Sequence, residues 1–151
     1  PFKNSKKILY VGRLDDDTGI KIYLDAFHIL KTKIPNIKFE FLGDGKYRKE
    51  DKELGLAQGF KPNVSNFIQD SRFVCTSGYL SMLEAMYLKR LVFSVSQNAI
   101  KFDILALSPF EKSTTSSGEI LEIKNSPISS VPGFVTSFNF AIKLSSLISK
   151  T

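Results

Sequence analysis

The sequence has a single cysteine, Cys75, and a single histidine, His28. One thiol excludes an internal disulfide and any cysteine-based zinc cluster, and it points to a reducing, cytoplasmic setting. His28 stands among Phe27, Ile29 and Leu30, which is the setting of a packed or surface histidine rather than of a Ser-His-Asp triad. No apolar run approaches the ~20 residues that cross a bilayer, and Pro1-Phe2-Lys3-Asn4 has no apolar stretch of the secretory kind. A dense basic run is also missing. The 21 Lys and Arg against 15 Asp and Glu give a formal charge of +6, but the lysines are scattered over expected helix faces and element ends. An anionic partner suits that charge, whether nucleotide, polyphosphate, nucleic acid or acidic lipid surface. Because the chain does not start with Met, we expect it to be part of a longer protein.

What is present reads as one compact domain. With 151 residues, 42% of them hydrophobic and 13 of them Phe, the chain can bury roughly two-thirds of the surface that it exposes when unfolded. Lys7 to Val11 (KILYV) is apolar, β-branched and aromatic, and Gly12 ends it, as expected of a buried strand. From Ile20 the period changes: Ile20, Tyr23, Leu24, Phe27 and Leu30 recur at helical spacing until Pro35. Ile37 to Leu42 is a second strand, closed by Gly43-Asp44-Gly45, and Lys46 to Leu54 a short charged helix. Leu56 to Phe60 is a third apolar piece, Val64 to Gln69 a helical turn or two, and Phe73 to Cys75 a fourth strand. Tyr79 to Leu88 is a helix and Leu91 to Val95 a fifth strand. Beyond Asn98 the pattern weakens to short helices over Ala99 to Leu107 and Gly118 to Ile123, a polar turn at Ser113 to Ser117, and a terminal helix over Phe134 to Lys150.

This alternation predicts an α/β, Rossmann-like parallel sheet with helices on both faces and a C-terminal helix. Strands covered from two sides read as continuous apolar runs, as these do. Ligands of such open sheets bind beyond the carboxyl ends of the strands. The turns Gly12 to Gly19, Gly43 to Lys46, Phe60 to Asn63 and Thr76 to Tyr79 therefore line one edge.

Two of these turns carry candidate chemistry. Thr76-Ser77-Gly78-Tyr79 opens a helix, whose first N–H groups and positive dipole end favour an anion. Gly78 leaves room for a phosphate, Ser77 adds a hydroxyl donor, and Glu84 lies ~7.5 Å further along the helix axis, where a carboxylate can accept from two adjacent hydroxyls. Taken alone, the residues lean towards an ordinary N-cap at Ser77 and a helix-favouring surface glutamate at Glu84. Gly12-Arg13 puts a guanidinium at the same edge, free to take a phosphate or paired with Asp15, Asp16 or Asp17.

Taken in order, YVGRL, DAFHILK, FLGDG, QGF and TSGYLSMLEAM resemble the nucleotide-sugar-binding C-terminal domain of GT-B glycosyltransferases of the group 1, family 4 type, from Lys7 to about Leu105. The resemblance implies that residues 1–151 are the donor-binding half of a two-domain enzyme whose N-terminal, acceptor-binding domain is absent. It also implies transfer from a nucleotide-diphosphate sugar with retention, with no cofactor and no bound metal. Carried over residue by residue, Gly12 and Arg13 meet the donor diphosphate, and Thr18 stands where the family has a lysine. The backbone amides of Gly78, Tyr79 and Leu80, following Ser77, hold phosphates, while Phe60 and Lys61 lie beside the nucleobase. Of the family's two glutamates eight positions apart, Glu84 matches the one on the ribose, and Thr76 replaces the one on the transferred sugar. No catalytic residue is assigned. Peripheral membrane contact would belong to the full-length protein.

Two departures, Thr18 and Thr76, fall on diphosphate and sugar contacts, so a degenerate domain that binds without transfer is the alternative. A receiver-like signalling domain would use Asp15-Asp16-Asp17, but Asp44 follows the second strand rather than the third. A nucleic-acid-binding module would need exposed aromatics, whereas Phe27, Phe39, Phe41 and Phe73 fall on core positions.

Overall fold

A computed structural model describes residues 6–49, 55, 57–95, 145–146 and 148. Strand β1 (Lys7–Val11) leads through a 3-10 turn (Asp16–Thr18) into helix α1 (Ile20–Lys33). Strand β2 (Lys38–Leu42) and a second 3-10 turn (Lys46–Lys49) precede α2 (Val64–Gln69), and β3 (Phe73–Thr76), α3 (Tyr79–Tyr87) and β4 (Leu91–Ser94) complete the described core. The sheet order is β2-β1-β3-β4 and every pairing is parallel.

Side-chain alternation along the strands divides the core into two. Ile8, Tyr10, Phe41, Phe73, Cys75 and Phe93 face α1, whose Ile20, Tyr23, Ala26, Phe27 and Leu30 are buried. Leu9, Val11, Leu42, Val74 and Val92 face the opposite side, with Ile68 of α2 and Met82 and Ala85 of α3. The α1 face is largely aromatic: Phe27 stacks on Phe39 at 4.4 Å between centroids, and Tyr10 meets Tyr23 edge to face at 5.2 Å. Cys75 belongs to this core, and burial raises its thiol pKa.

The expected third strand is corrected. Of the expected strand Leu56 to Phe60, Leu56 lies outside the described residues, and residues 57–60 form no ladder there but meet β2 through isolated bridges, Phe41 with Ala57 in parallel sense and Gly43 with Gly59 in antiparallel sense. The chain turns at Gly59, held in the left-handed region (φ 75) that glycine enters without steric cost, so the two bridges cannot extend into one strand. The charged helix expected over Lys46 to Leu54 is a 3-10 turn over Lys46–Lys49, and residues 50–54 lie outside the described ones. So do the expected Ala99 to Leu107 and Gly118 to Ile123 helices and the Ser113 to Ser117 turn. Of the terminal helix, residues 145–146 and 148 are described and helical, and Ile148 packs into the α1-side core. Among the described residues no helix is long and apolar enough to cross a membrane.

One hydroxyl ties α1 to the strand ends. Tyr23 Oη lies 3.1 Å from the Thr76 carbonyl and 3.3 Å from that of Phe93, and it accepts the Val95 N–H at 2.7 Å. Burial pushes its phenol pKa well up, so it stays a neutral donor. Tyr23→Phe leaves these buried groups short of a partner, and the expected destabilisation is about 1–3 kcal/mol. A urea midpoint indistinguishable from wild type would show that the network contributes no net stability.

Candidate functional site

Sheet order fixes where a ligand can enter. The chain runs from β1 to β2 on one edge, then returns past β1 to β3, so the connections after β1 and β3 leave the sheet in opposite directions. At that point lies an open cleft of about 430 Å³, lined by Val11, Gly12, Arg13, Thr18, Leu42, Gly43, Phe60, Lys61, Val64, Ser77, Gly78 and Ser81. All four turns expected at this edge contribute to it.

The β1 wall is built from backbone locked to backbone. Gly12 N–H donates to the Leu42 carbonyl and Leu14 N–H to that of Asp44, both at 3.0 Å, and Tyr47 N–H returns to the Leu14 carbonyl at 3.0 Å. The loops cross so closely that a Cβ on Gly43 would stand 1.8 Å from the Gly12 carbonyl oxygen, a distance that only glycine avoids. Tyr10 Oη donates to the Arg13 carbonyl at 2.9 Å, bracing the loop from the core.

Thr18 completes the bracing. It is buried, and its hydroxyl lies 3.0 Å from the Arg13 carbonyl and 2.7 Å from that of Asp15. Where the resemblance has a lysine, this residue holds the loop shut. Lys21, one turn on, is turned elsewhere: it pairs with Asp16 at 3.1 Å over the Tyr47 ring. Asp16 also receives Lys46 at 2.9 Å and the Tyr47 hydroxyl. The Tyr47 hydroxyl, with Lys46 and Lys21, holds the Asp16 carboxyl well below the usual carboxylate range.

Arg13 meets the acidic run directly, with Nη1 3.3 Å from Asp15 Oδ2 and Nη2 bonded to Asp17 Oδ2. Arg13 and Asp17 are exposed and Asp15 partly so, and each pair is worth about 0–1 kcal/mol.

The β3 wall is the opening turn of α3. Gly78 takes the N-cap position in extended conformation, and Met82 N–H donates to its carbonyl at 3.0 Å. Thr76, expected near the transferred sugar, is fully buried; its Oγ1 accepts the Gly78 N–H at 3.1 Å. Of the three amides expected to face phosphate, that of Gly78 is therefore engaged within the turn. Those of Tyr79 and Leu80, joined by Ser81, belong to a first helical turn and have no intrahelical acceptor. Tyr79 and Leu80 do not line the cleft with their side chains, and Leu80 is 79% exposed.

Glu84 is half-buried one turn below Ser81, in the groove between α2 and α3, and does not line the cleft itself. Ser65 of α2 donates its hydroxyl to Glu84 Oε1. That contact, and the place of Ser81 and Val64 in the cleft, were missed from sequence. No local signal marks them: Ser77 precedes the Gly78 N-cap, so helical spacing does not link it to Ser81. Among the described residues no group of three or more His, Cys, Asp or Glu is placed to hold a metal ion.

Comparison with known proteins follows this geometry. The family model "Glycosyl transferases group 1" matches residues 1–98. No curated protein matches the sequence. Among solved structures, a mutant of S. aureus TarM in complex with fondaparinux, alpha-GlcNAc-glycerol and UDP is 16% identical, with a TM-score of 0.65 over 99% of this chain. The pneumococcal O-GlcNAc transferase GtfA in complex with UDP and GlcNAc is 13% identical, with a TM-score of 0.66 over 96% of this chain. This chain spans 29% of either protein. It spans 75% of the C-terminal domain of LpcC, a glycosyl transferase group 1 family protein from Francisella tularensis, at 17% identity and a TM-score of 0.60 over 95% of this chain. At such identities the likeness is one of fold, the Rossmann-like α/β sheet of GT-B glycosyltransferases. The family match extends over the whole β1 to β4 sheet and the cleft at its switch point, and this chain belongs to the glycosyl transferases group 1 family.

Proposed function

We propose that the chain is the donor-binding domain of a glycosyltransferase, taking a nucleotide-diphosphate sugar in the switch-point cleft. A second, N-terminal domain of the same protein would present the acceptor, with transfer proceeding with retention and without a bound metal. The observation that carries the reading is the convergence of Arg13 and Lys61 with the first turn of α3 on one cleft, with Glu84 one turn along the same helix. The amides of Tyr79, Leu80 and Ser81 and the helix dipole favour the diphosphate, and Ser77 adds a hydroxyl. Glu84 keeps Oε2 for a ribose hydroxyl while Ser65 orients the carboxylate through Oε1. Phe60, 74% exposed at the rim, offers a face for a nucleobase. Both TarM and GtfA are described with UDP, which makes uridine the first base to test.

Burial of Thr76 favours a second reading, in which the cleft binds a nucleotide without transferring its sugar. A hydroxyl engaged by Gly78 cannot provide the charge-assisted bond of a carboxylate. Measured turnover by the full-length protein, compared with binding, separates the two.

Titration calorimetry should find nucleoside diphosphates or their sugars binding at about micromolar to millimolar Kd. Glu84→Ala should weaken nucleoside diphosphates by about 10-fold, the effect of one hydrogen bond to a charged group, and leave inorganic pyrophosphate unchanged. No heat with any nucleotide sugar would refute the donor reading. Asp17→Asn removes one competitor for Arg13 and should tighten diphosphate binding up to about fivefold, in line with an exposed ion pair. Weaker binding by this variant would show that the carboxylate positions Arg13 rather than competes for it.

A further inference from the structure

The charge lining the cleft is unevenly disposed. Its two charged residues, Arg13 and Lys61, come from different loops, one after β1 and the other after Gly59. Arg13 faces the carboxylates of both Asp15 and Asp17, so the local sum on its wall is negative. Two further cations, Lys21 and Lys46, lie outside the cleft lining and converge on Asp16. Among the described residues no carboxylate pairs with Lys61, which is exposed on the Phe60 side of the cleft. The uncompensated positive charge of the cleft is therefore that of Lys61.

We infer that Lys61 is the residue that captures the diphosphate of the donor, in place of a nucleobase-side role, with Arg13 joining only after the ligand displaces Asp15 and Asp17. This rests on the donor reading above and adds to it the source of the capturing charge. An exposed ammonium without an ion pair among the described residues suits first contact, because it has no carboxylate to give up, whereas Arg13 must exchange two. The ligand's charge then exceeds that of either carboxylate, and an exposed guanidinium held by weak pairs can rotate from them to the phosphates. The first α3 amides complete the cradle from the other side.

The test uses UDP, UMP and inorganic pyrophosphate as probes of the complete chain by calorimetry. Lys61→Ala should weaken UDP and pyrophosphate by roughly 10- to 100-fold, the range for hydrogen bonds to a charged group, and UMP by less. Lys61→Arg should restore most of the loss, and Arg13→Ala should cost less than Lys61→Ala. The salt dependence of UDP binding should also flatten in Lys61→Ala, since one screened attraction has been removed. Thermal unfolding of Lys61→Ala should match wild type, because the side chain is exposed. If UDP and UMP weaken equally, Lys61 sits at the base and the inference fails; if neither changes, it has no ligand contact and the inference fails. Absence of wild-type binding to UDP, UMP and pyrophosphate alike would overturn the donor reading, and this inference with it.

Discussion

β1 has a hydrogen-bonded partner on each edge, β2 on one and β3 on the other, and that arrangement decides the rest. A right-handed crossover from β1 to β2 places α1 on one face, and the return past β1 to β3, then on to β4, places α2 and α3 on the opposite face. The two buried clusters follow these assignments: α1 packs on Ile8, Tyr10, Phe73 and Phe93, while α2 and α3 pack on Leu9, Val11, Val74 and Val92. The same reversal makes the loops after β1 and β3 part company, which opens the cleft between Gly12 and Gly78. Fold and site are thus consequences of one topological choice.

Within that frame hydroxyl side chains fix the backbone, while Arg13 and Lys61 bring charge to the cleft. Thr18 binds the Arg13 and Asp15 carbonyls, Thr76 binds the Gly78 amide, and Tyr10 and Tyr23 anchor the same loops from beneath. These contacts hold Gly12, Gly43 and the α3 turn in place before a ligand arrives, which reduces the ordering cost of binding. The cationic side is less prepared. Arg13 is held by Asp15 and Asp17, and Asp16 gathers Lys21, Lys46 and Tyr47 outside the cleft. The loop backbone is thus hydrogen-bonded in place, while the charged side chains are held by exposed ion pairs.

Most of the fold was legible because its signals are periodic. KILYV, the Ile20, Tyr23, Phe27, Leu30 stripe and the FVCT and LVFS runs each name an element, and their order names the sheet. Leu56 to Phe60 misled because an apolar run was read without weighing Gly59, whose left-handed conformation bends the chain out of any ladder. Lys46 to Leu54 looked helical from composition, but the loop hydrogen bonds from Lys46 to Asp15 and from Tyr47 to Leu14 fix its start as a tight turn. At the site, sequence placed Arg13, Ser77, Gly78 and Lys61 on one edge but could not choose between phosphate and aspartate for Arg13. The Ser65 to Glu84 bond joins separate helices and has no local signature. The burial of Thr76 was likewise invisible, since it depends on β3 having neighbours on both sides.

A diphosphate bound between the β1 loop and the first turn of α3 would perturb the amides on both sides of the cleft. Backbone amide spectra recorded during a nucleoside diphosphate titration test it residue by residue. Saturable shifts are expected at Gly12, Arg13, Lys61 and Tyr79 to Ser81, with the Gly78 amide moving least among the α3-turn residues because Thr76 already holds it. Saturable shifts confined to residues outside this cleft, such as the exposed face of α1, would contradict it.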